Sequence, residues 1–528
     1  MMKIKKRNFK HNVDFHQAKW NEPIIFELHQ KGEKGVEVPP VDKEITQLVG
    51  DGISDLPLEM KRKSKAALPE IGQARVLRHY LRLSQETLGS DFNVEIGQGT
   101  CTMKYIPKIN EFLVRDPKLT ELHPLQDEST VQGILEIFYK LDLCMREISG
   151  MDCFTFQPSG GTQALYTMAS IVRKYHEVRG EGDQRDEIIT TIFSHPSQAA
   201  TAAVKGYKII TLHPDEDGFP DIEKLKAVVS ERTAGFVVAN PEDTGIFNGK
   251  INEFTKIVHD VGGLCYYDQA NANGLLGITR AKEAGFDMCF FNLHKTFAAP
   301  HMCGGPATGA LGVIEDLKGF LPTAIVDYKD DKYYLNDELP HSIGKIRAFH
   351  GVAQTVLRAY AWIRALGADG LKEVAKTAVL NNNYMYSKVR KIKGASAPYI
   401  KGSRLEQVRY SWEGLTKDTG VTTEDIQRRM TDFGLHYWTS HHPYIVKQPF
   451  TLEPTESYSK QDLDEYISAL EQISKEAYEN PMIVKEAPQQ STIHQLDEQD
   501  FLDHPEKWCI TWRTYQKKVI HKQISMSK

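Results

Sequence analysis

The chain has 528 residues, of which 41% are hydrophobic and 26% charged, enough to bury a large core and form two or three domains. Its formal net charge of -5 gives no global field that would attract nucleic acid or anionic membranes, so small-molecule chemistry is favoured. The basic start is not followed by an apolar signal core or by a long apolar span, which predicts a cytoplasmic protein. The seven cysteines form no C-x-x-C pair, so neither a metal site nor a disulfide framework is predicted.

The N-terminal part is predicted to be an arm. Residues 1–60 carry glycine and proline with little periodicity, a pattern typical of an arm that embraces a neighbouring subunit.

Apolar residues then recur at helical spacing over 129–148, which predicts a core helix capped by Ser129 or Thr130 and ended by Gly150. We divide the chain into an arm and linker, a large ligand-binding domain, a smaller C-terminal domain and a tail, at 1–110, 111–350, 351–495 and 496–528.

Between 151 and about 320, predicted strands and helices alternate. The predicted strands are 187–193, 207–212, 235–239, 264–268 and 286–292. The predicted helices between them are 198–205, 222–230 and 252–261. This alternation predicts an α/β fold with a mostly parallel sheet, whose ligands gather at the carboxyl ends of the strands.

A glycine pair at the start of a predicted helix is a candidate phosphate cup. Ser159, Gly160, Gly161 and Thr162 precede a helical pattern, so several backbone N–H groups can converge there on a phosphate. Most glycine pairs are simply turns, so this pattern taken alone is weak evidence for a phosphate site.

Two further polar residues follow predicted strands. His195 can lay its imidazole flat on an aromatic ring, although a lone histidine is more often a structural residue. Asn240 begins an Asn-Pro-Glu-Asp stretch that is either a turn or a hydrogen-bonding group for a ligand, and the pattern leaves both interpretations open.

Asp268 ends the next predicted strand. A buried carboxylate there would keep the nitrogen of a pyridine ring protonated, and the protonated ring would then stabilise a carbanion. Ala270, two residues on, is small enough to let such a ring approach. The alternative is an ordinary aspartate in a turn.

His294 and Lys295 follow a short apolar run that predicts a buried strand. Apolar neighbours of Lys295 favour the neutral amine, so its pKa is expected to fall and the amine can condense with an aldehyde to form a Schiff base. Pyridoxal phosphate is the expected aldehyde. A surface lysine after a strand is the alternative for this pair in isolation.

The C-terminal part begins with predicted helices at 352–366 and 371–391, and the segments 407–412, 422–432 and 463–478 then predict a smaller α/β domain. The histidine-rich stretch 436–443 is either a metal cluster or, as we favour, a loop at the rim of the site. The basic, aromatic tail from 502 is either a nucleic-acid-binding segment or, as we favour, a docked or solvated terminus.

The order of the phosphate cup, the stacking histidine, Asp-x-Ala and His-Lys resembles the fold-type I enzymes, which are aspartate-aminotransferase-like and use pyridoxal phosphate. The wider sequence is similar to one family among them, the glycine decarboxylase P-protein in its two-subunit form, subunit 2. The resemblance extends from about residue 23 to about residue 496. The matching stretches are 99–108, 122–124, 147–152, 267–271, 292–297, 304–306, 378–384 and 453–457.

This resemblance implies decarboxylation of glycine on pyridoxal phosphate, with the aminomethyl group passed to the lipoyl arm of the H-protein. It implies that Lys295 carries the cofactor, that Asp268 is the partner of the ring nitrogen and that His195 stacks on the ring. The remaining expected cofactor contacts are Ser159, Gly160, Gly161, Thr162, Asn240, Ala270 and His294. The assembly is expected to be a homodimer, in which Ile24 to Phe26 are buried, or an A2B2 complex with a homologous subunit 1.

The chain departs from the family pattern in its loops. Gln163 and Leu165 stand where the family shows His and Glu, and the stretch after His195 differs from the family's His-Gly-Thr-Asn-Pro. Met302 and Cys303 interrupt the glycine-rich run after the lysine. These differences keep open a decarboxylase or lyase of another amino acid that needs no lipoyl carrier. A non-catalytic assembly subunit is the other alternative.

Overall fold

The computed structural model describes residues 15–36, 38–64, 66, 68–89, 93–97, 104–300, 307–399, 404–437, 445–492, 495, 498–503 and 511–520. The chain forms two compact units, one of which is Ser90–Glu486 and the other Phe15–Gly89 with Ala487–Lys528. The four-segment division made from the sequence stays a prediction. In the described ranges, no helix combines the length and the apolar character needed to cross a bilayer.

The strands in chain order are β1 Cys153–Thr155, β2 Glu187–Thr191, β3 Lys208–Leu212, β4 Thr233–Ala239, β5 Leu264–Asp268, β6 Met288–Asn292, β7 Gly309–Val313, β8 Ile325–Lys329, β9 Lys332–Asn336, β10 Val408–Ser411 and β11 Pro449–Leu452.

The α-helices in chain order are α1 Lys43–Val49, α2 Gln73–Gln85, α3 Lys108–Val114, α4 Pro117–Thr120, α5 Gln132–Ser149, α6 Gly161–Val178, α7 Pro196–Val204, α8 Ile222–Val228, α9 Ile251–Asp260, α10 Ala353–Val389, α11 Glu413–Thr419, α12 Thr423–Thr431, α13 Lys460–Glu479, α14 Pro481–Lys485, α15 Glu498–Asp503 and α16 Trp512–Tyr515. Short 3-10 turns span Ile25–Leu28, Glu128–Thr130 and Glu315–Phe320, and a π turn spans Gln516–Ile520.

A seven-stranded sheet in the order β1-β7-β6-β5-β4-β2-β3 is the centre of the larger unit. Strands β2 to β6 pair in parallel, whereas β7 is antiparallel to both β6 and β1. Side chains alternate between its two faces: Val238 and Phe291 join one buried core, and Val237 and Phe290 join the other. The predicted α/β fold with a mostly parallel sheet is therefore confirmed.

The predicted start of the first core helix is wrong in detail. Helix α5 begins after Val131, which makes no side-chain capping bond, while Ser129 and Thr130 belong to a separate 3-10 turn capped by Asp127. The predicted end is confirmed, since Gly150 takes the left-handed conformation with φ of 79°.

A smaller lobe of the same unit contains the antiparallel pair β10-β11 and helices α11 to α14. Its core is aromatic: the rings of Trp412 and Phe450 stack at 5.1 Å, as do those of Tyr410 and Phe450. The two helices predicted at 352–366 and 371–391 correspond to the two parts of α10, which meet at a kink at Gly367, where the backbone is non-helical with φ of 66°.

In the other unit, α16 packs against the N-terminal arm. The ring of Trp512 lies 6.0 Å from that of Phe26 and 4.7 Å from that of His29. Tyr515 also contacts Phe26, with ring centroids 5.7 Å apart. This part of the tail is therefore docked on its own chain, while Trp508 lies outside the described residues.

Two glycines in the larger unit should respond to alanine in opposite directions. In β4, the Cβ of Gly235→Ala would lie 2.7 Å from the carbonyl oxygen of Leu264, so the strands must shift and we expect a loss of about 1–3 kcal/mol. In α5, Gly133→Ala meets nothing within 4 Å and should gain roughly 0.5–1 kcal/mol from helix propensity. Thermal unfolding of the two variants checks this, and equal midpoints would contradict the packing argument.

Candidate active site

A cavity of about 810 Å³ lies at the carboxyl ends of the parallel strands, and the segment leading into β10 also borders it. Nine of the ten residues predicted at the cofactor line this cavity: Ser159, Gly160, Gly161, Thr162, His195, Asp268, Ala270, His294 and Lys295. Asn240 is the exception.

The parallel pairing of β5 and β6 brings Asp268 and Lys295 to the same cavity. Asp268 is the last residue of β5 and pairs with Phe290 of β6, and Lys295 follows the end of β6 by three residues. Both side chains are buried, with 8% and 7% of their surfaces exposed. A carboxyl and an amine, both buried, therefore face one cavity.

Asp268 is held in place through both carboxyl oxygens. The backbone N–H of Ala270 donates to Oδ1 at 3.0 Å, and the amide of Gln198 donates to Oδ2 at 2.9 Å. The Thr190 hydroxyl in turn donates to the side-chain oxygen of Gln198 at 3.1 Å. Burial raises the pKa of Asp268, and these two hydrogen bonds and the charge of Lys295 oppose the rise. Gln198 was not assigned a role from sequence, although it lies in the stretch that follows His195.

The predicted phosphate cup lies at the N-terminus of the 18-residue helix α6. Gly160 has φ of 149°, and a Cβ on Gly161 would come within 3.0 Å of the Asn292 side chain. The backbone N–H of Ser159 is used internally, since it donates to the Gln163 side chain at 2.6 Å. The cup is thus narrow, rests on the end of β6, and directs N–H groups of the first turn of α6 toward the cavity.

His195 lines the cavity as the N-cap of α7. Its Nδ1 accepts the backbone N–H of Ser197 at 3.2 Å and lies 2.6 Å from the Ser197 hydroxyl. These contacts fix the ring's orientation, because Nδ1 acts as the acceptor. Stacking on a cofactor ring stays a prediction.

Asn240 does not reach the cavity. Its side chain accepts the N–H of Asn248 at 2.7 Å and donates to the Asn248 carbonyl at 3.1 Å, which closes the turn after β4. Of the two interpretations left open by the sequence, this placement favours the turn, and a contact with the cofactor stays an untested prediction. Asp243, three residues on, lines the cavity instead and forms an ion pair with the buried Arg409.

Two buried glutamates near the lysine were not assigned roles from the sequence. Glu406 lines the cavity, and burial raises its pKa to about 7. Glu453 is completely buried, which raises its pKa to about 8, and it accepts hydrogen bonds from Asn271 and Asn273. Glu453 belongs to a stretch that matched the family, but no local pattern shows that a glutamate is buried.

The residues present fit pyridoxal phosphate. Burial disfavours the charged form of the Asp268 side chain. A carboxylate in such a place gains most from a positively charged partner, such as a protonated ring nitrogen. The side-chain oxygen of Asn292 is buried beside the glycine cradle without a hydrogen-bond partner, as expected where a polar ligand binds. The amine of Lys295 lines the same cavity, where it would be available to the aldehyde.

Several stretches noted in the sequence lie outside the described residues: 99–103, Met302 and Cys303, 304–306, and 438–443 of the histidine-rich stretch. Of that stretch, Tyr437 is described; it is buried and accepts a hydrogen bond from Trp412 at 3.0 Å.

One group of possible metal ligands lies elsewhere, near the beginnings of β5 and β6. Ligand atoms of His259, Cys265 and Asp287 lie within 4.8 Å of one another. Asp287 already accepts hydrogen bonds there from the His259 ring at 2.9 Å and from the Cys265 backbone at 2.6 Å. We read this group as a local hydrogen-bonded cluster.

Comparisons with known proteins point to one family. Residues 374–494 match the model of the glycine dehydrogenase C-terminal domain, and residues 155–322 match that of class-V aminotransferases. A protein of Pyrococcus abyssi named glycine dehydrogenase (decarboxylating) subunit 2 is 43% identical, over 95% of this chain and 98% of its own length. A Caldanaerobacter subterraneus protein of the same name is 41% identical, over 90% and 96%.

Solved structures show the same fold. A crystal structure of glycine decarboxylase (P-protein) in an inhibitor-bound form superposes with a TM-score of 0.70 at 19% identity, covering 83% of this chain and all of that one. A cysteine desulfurase from Thermococcus onnurineus superposes with a TM-score of 0.56 at 16% identity, covering 72% of this chain and 95% of that one.

Glu242, behind the cavity wall, should make stability depend on pH. It is buried and accepts a hydrogen bond from Thr191, and burial raises its pKa from 4.5 to about 8. The folded state therefore holds this proton more tightly than the unfolded state, so stability falls as the pH rises between those values.

Glu242→Gln removes this titration and keeps an acceptor for Thr191. We expect the unfolding equilibrium of the wild type, relative to the variant, to increase by up to about tenfold per pH unit across that window. Thermal unfolding of both proteins between about pH 5 and about pH 8 measures it. Parallel pH dependences would contradict the prediction.

Proposed function

Because the chain belongs to the family of glycine dehydrogenase (decarboxylating) subunit 2, we propose that it decarboxylates glycine on pyridoxal phosphate and passes the aminomethyl group to the lipoyl arm of an H-protein. The observation that carries the proposal is the joint placement of Lys295 and Asp268 at the ends of adjacent parallel strands, facing one cavity. An amine and a carboxyl so placed would hold the two reactive ends of the cofactor's ring system.

Each residue then has a stated task. Pyridoxal phosphate, when bound, supplies an electron-withdrawing ring that stabilises negative charge at the substrate's α-carbon as CO2 leaves. Lys295 holds the aldehyde carbon through its amine, and Asp268 keeps a proton on the ring nitrogen.

The surroundings position these two groups. Gln198 and Ala270 orient the Asp268 carboxyl, so that it does not reorganise during the reaction. The N–H groups at the start of α6, with Thr162, bind the phosphate, and the imidazole of His195 offers a flat face to the ring.

A second candidate is a decarboxylase or lyase of a larger amino acid that works without a lipoyl carrier. The loop at the start of α6 favours it, because Gln163 there holds both the Ser159 N–H and the Ile346 carbonyl, and Leu165 is buried at the cavity. The chemistry at Lys295 and Asp268 is common to both candidates. The presence of both Lys295 and Asp268 in the cavity argues against a subunit without catalytic activity.

We include a partner in the proposal. The relatives carry the name subunit 2, which supports assembly with a homologous subunit 1; a self-sufficient homodimer is the alternative. A cytoplasmic location is also proposed, and Cys144, Cys153, Cys265 and Cys289 are free thiols, as a reducing compartment would require.

Measuring CO2 release from carboxyl-labelled glycine and from larger amino acids, with and without subunit 1 and lipoylated H-protein, tests the function. We expect release from glycine that depends on H-protein. Release from a larger amino acid without H-protein would instead support the second candidate.

Lys295→Ala tests the cofactor anchor. This variant should abolish both CO2 release and the pyridoxyl adduct that borohydride leaves on the protein, and Lys282→Ala is its matched control. Lys282→Ala removes an exposed lysine paired with Asp152 and should keep the adduct. An adduct that persists in Lys295→Ala would show that the anchor lies elsewhere.

Asp268→Asn should separate cofactor binding from chemistry. The amide keeps the size of the side chain but loses the charge and one of the two acceptor oxygens that Ala270 and Gln198 use, so the protein should retain the cofactor and lose roughly 100-fold or more in turnover. The bound cofactor is measured by absorbance and turnover by CO2 release. Unchanged turnover would contradict the role of Asp268.

A further inference from the structure

Residues 270–273, which we call the bridging segment, connect the smaller lobe to the lysine. They follow β5, and Ala270 and Asn271 line the cavity that Lys295 also lines. On one side the segment is bonded to the residue after β11, and on the other to the residue after Lys295.

The smaller lobe holds the bridging segment through one buried acceptor. Glu453, which directly follows β11, is completely buried. Its Oε1 accepts hydrogen bonds from the side-chain amides of Asn271 at 2.5 Å and Asn273 at 2.7 Å. The Oδ1 of Asn271 accepts the backbone N–H of Asn273 at 2.9 Å, so both ends of the Asn271 amide are used and its orientation is fixed.

Glu453 is itself held in place. Its backbone N–H donates to the carbonyl of Ile96 at 3.0 Å. Three residues on, Glu456 forms an ion pair at 3.0 Å with Lys104, whose side chain is completely buried. Chain segments from outside the smaller lobe therefore fix the loop after β11, and with it the acceptor that the bridging segment uses.

The other side of the bridging segment is bonded to the chain on both sides of Lys295. The backbone N–H of Ala272 donates to the hydroxyl of Thr296 at 2.9 Å, and both residues are buried. The carbonyl of Ala270 accepts the N–H of Asn292 at 3.1 Å, and the Asn292 carbonyl accepts the N–H of Lys295 at 3.0 Å. The backbone of the lysine is thus tied to the segment before and after Lys295.

The amine of Lys295 depends on this backbone for its position. Among the described residues, none forms a hydrogen bond or an ion pair with its Nζ. A lysine side chain has a flexible four-carbon stem, so its amine stays in one place only if the stem leaves a fixed backbone through a buried wall.

We propose that Glu453 and Thr296 are positioning residues for Lys295, because they clamp the bridging segment from its two sides and so keep the amine at its place in the cavity. The inference deepens the proposed function, on which it rests for the role of Lys295 as the anchor. The clamp is a property of the folded chain, so it can be measured without cofactor or substrate.

Thr296→Val tests one side of the clamp. The variant keeps the shape of the side chain but leaves the buried N–H of Ala272 without its acceptor, so the backbone at Lys295 should loosen. Competitive acetylation of the cofactor-free full chain with trace acetic anhydride, read by mass spectrometry, reports how accessible each lysine is. Labelling of Lys295 should rise roughly tenfold relative to the exposed Lys282, a factor that corresponds to one lost buried hydrogen bond.

Thr308→Val is the matched control. Thr308 is also completely buried, but its hydroxyl has no hydrogen-bond partner in the described structure. Its removal should therefore leave the labelling of Lys295 unchanged. Equal labelling of Lys295 in the two valine variants would overturn the role of Thr296.

Glu453 is tested with a conservative and a disruptive variant. Glu453→Gln keeps an oxygen that can accept from both asparagines, so Lys295 should be labelled as in the wild type. Glu453→Ala removes the acceptor and should raise the labelling. If the glutamine variant behaves like the alanine variant, the acceptor geometry is not what holds the lysine; Asn273→Ala, which keeps Glu453, gives the same test if Glu453→Ala does not fold.

The combined variant of Thr296→Val and Glu453→Gln or Asn273→Ala shows whether both sides act on one segment. A segment already released on one side has less to lose on the other, so Thr296→Val with Asn273→Ala should raise the labelling by less than the product of the two single effects. A full product would contradict a shared clamp, and Thr296→Val with Glu453→Gln should match Thr296→Val alone. A borohydride adduct that persists in Lys295→Ala would defeat the proposed anchor but not alter these labelling results, so the two failures are distinguishable.

Discussion

The parallel pairing of β5 with β6 is the constraint on which the site depends. It aligns Asp268 with Phe290 and brings the chain out of β6 beside the aspartate, so that Lys295 faces the same cavity. Because parallel strands end at a common edge, residues 27 positions apart in sequence can act on one ligand. The cup at α6 rests on the end of the same strand through Asn292.

Buried ionisable side chains are the second feature of the carboxyl edge of the sheet. Asp268, Glu406 and Glu453 are carboxyls whose pKa burial raises, and the charge of Lys295 opposes this rise at Asp268 and Glu453. In a site of low polarity, a proton or a cation is worth far more to such groups than in water. This is why a positively charged ring nitrogen fits the environment that the chain builds.

The smaller lobe contributes to the site through strand ends. The segment before β10 supplies Glu406 and Gln407 to the cavity wall, and the residue after β11 supplies Glu453 to the segment beyond Asp268. Stacked aromatic rings around Phe450 hold these two strands, so the position of the carboxyls depends on a core made elsewhere in the lobe.

Sequence analysis alone predicts the alternation of strands and helices, the glycine cup at the start of α6, and the placement of Asp268 and Lys295 at strand ends. These features follow from local periodicity and from polar residues that come directly after apolar runs. The tertiary structure was needed to show that Asn240 turns toward Asn248, that Gln198 holds Asp268, and that Glu406 and Glu453 lie at the same end of the β10-β11 pair. Gln198 and Asp268 are 70 residues apart in sequence, and desolvation, which sets the charge of a carboxyl, exists only once such segments have packed.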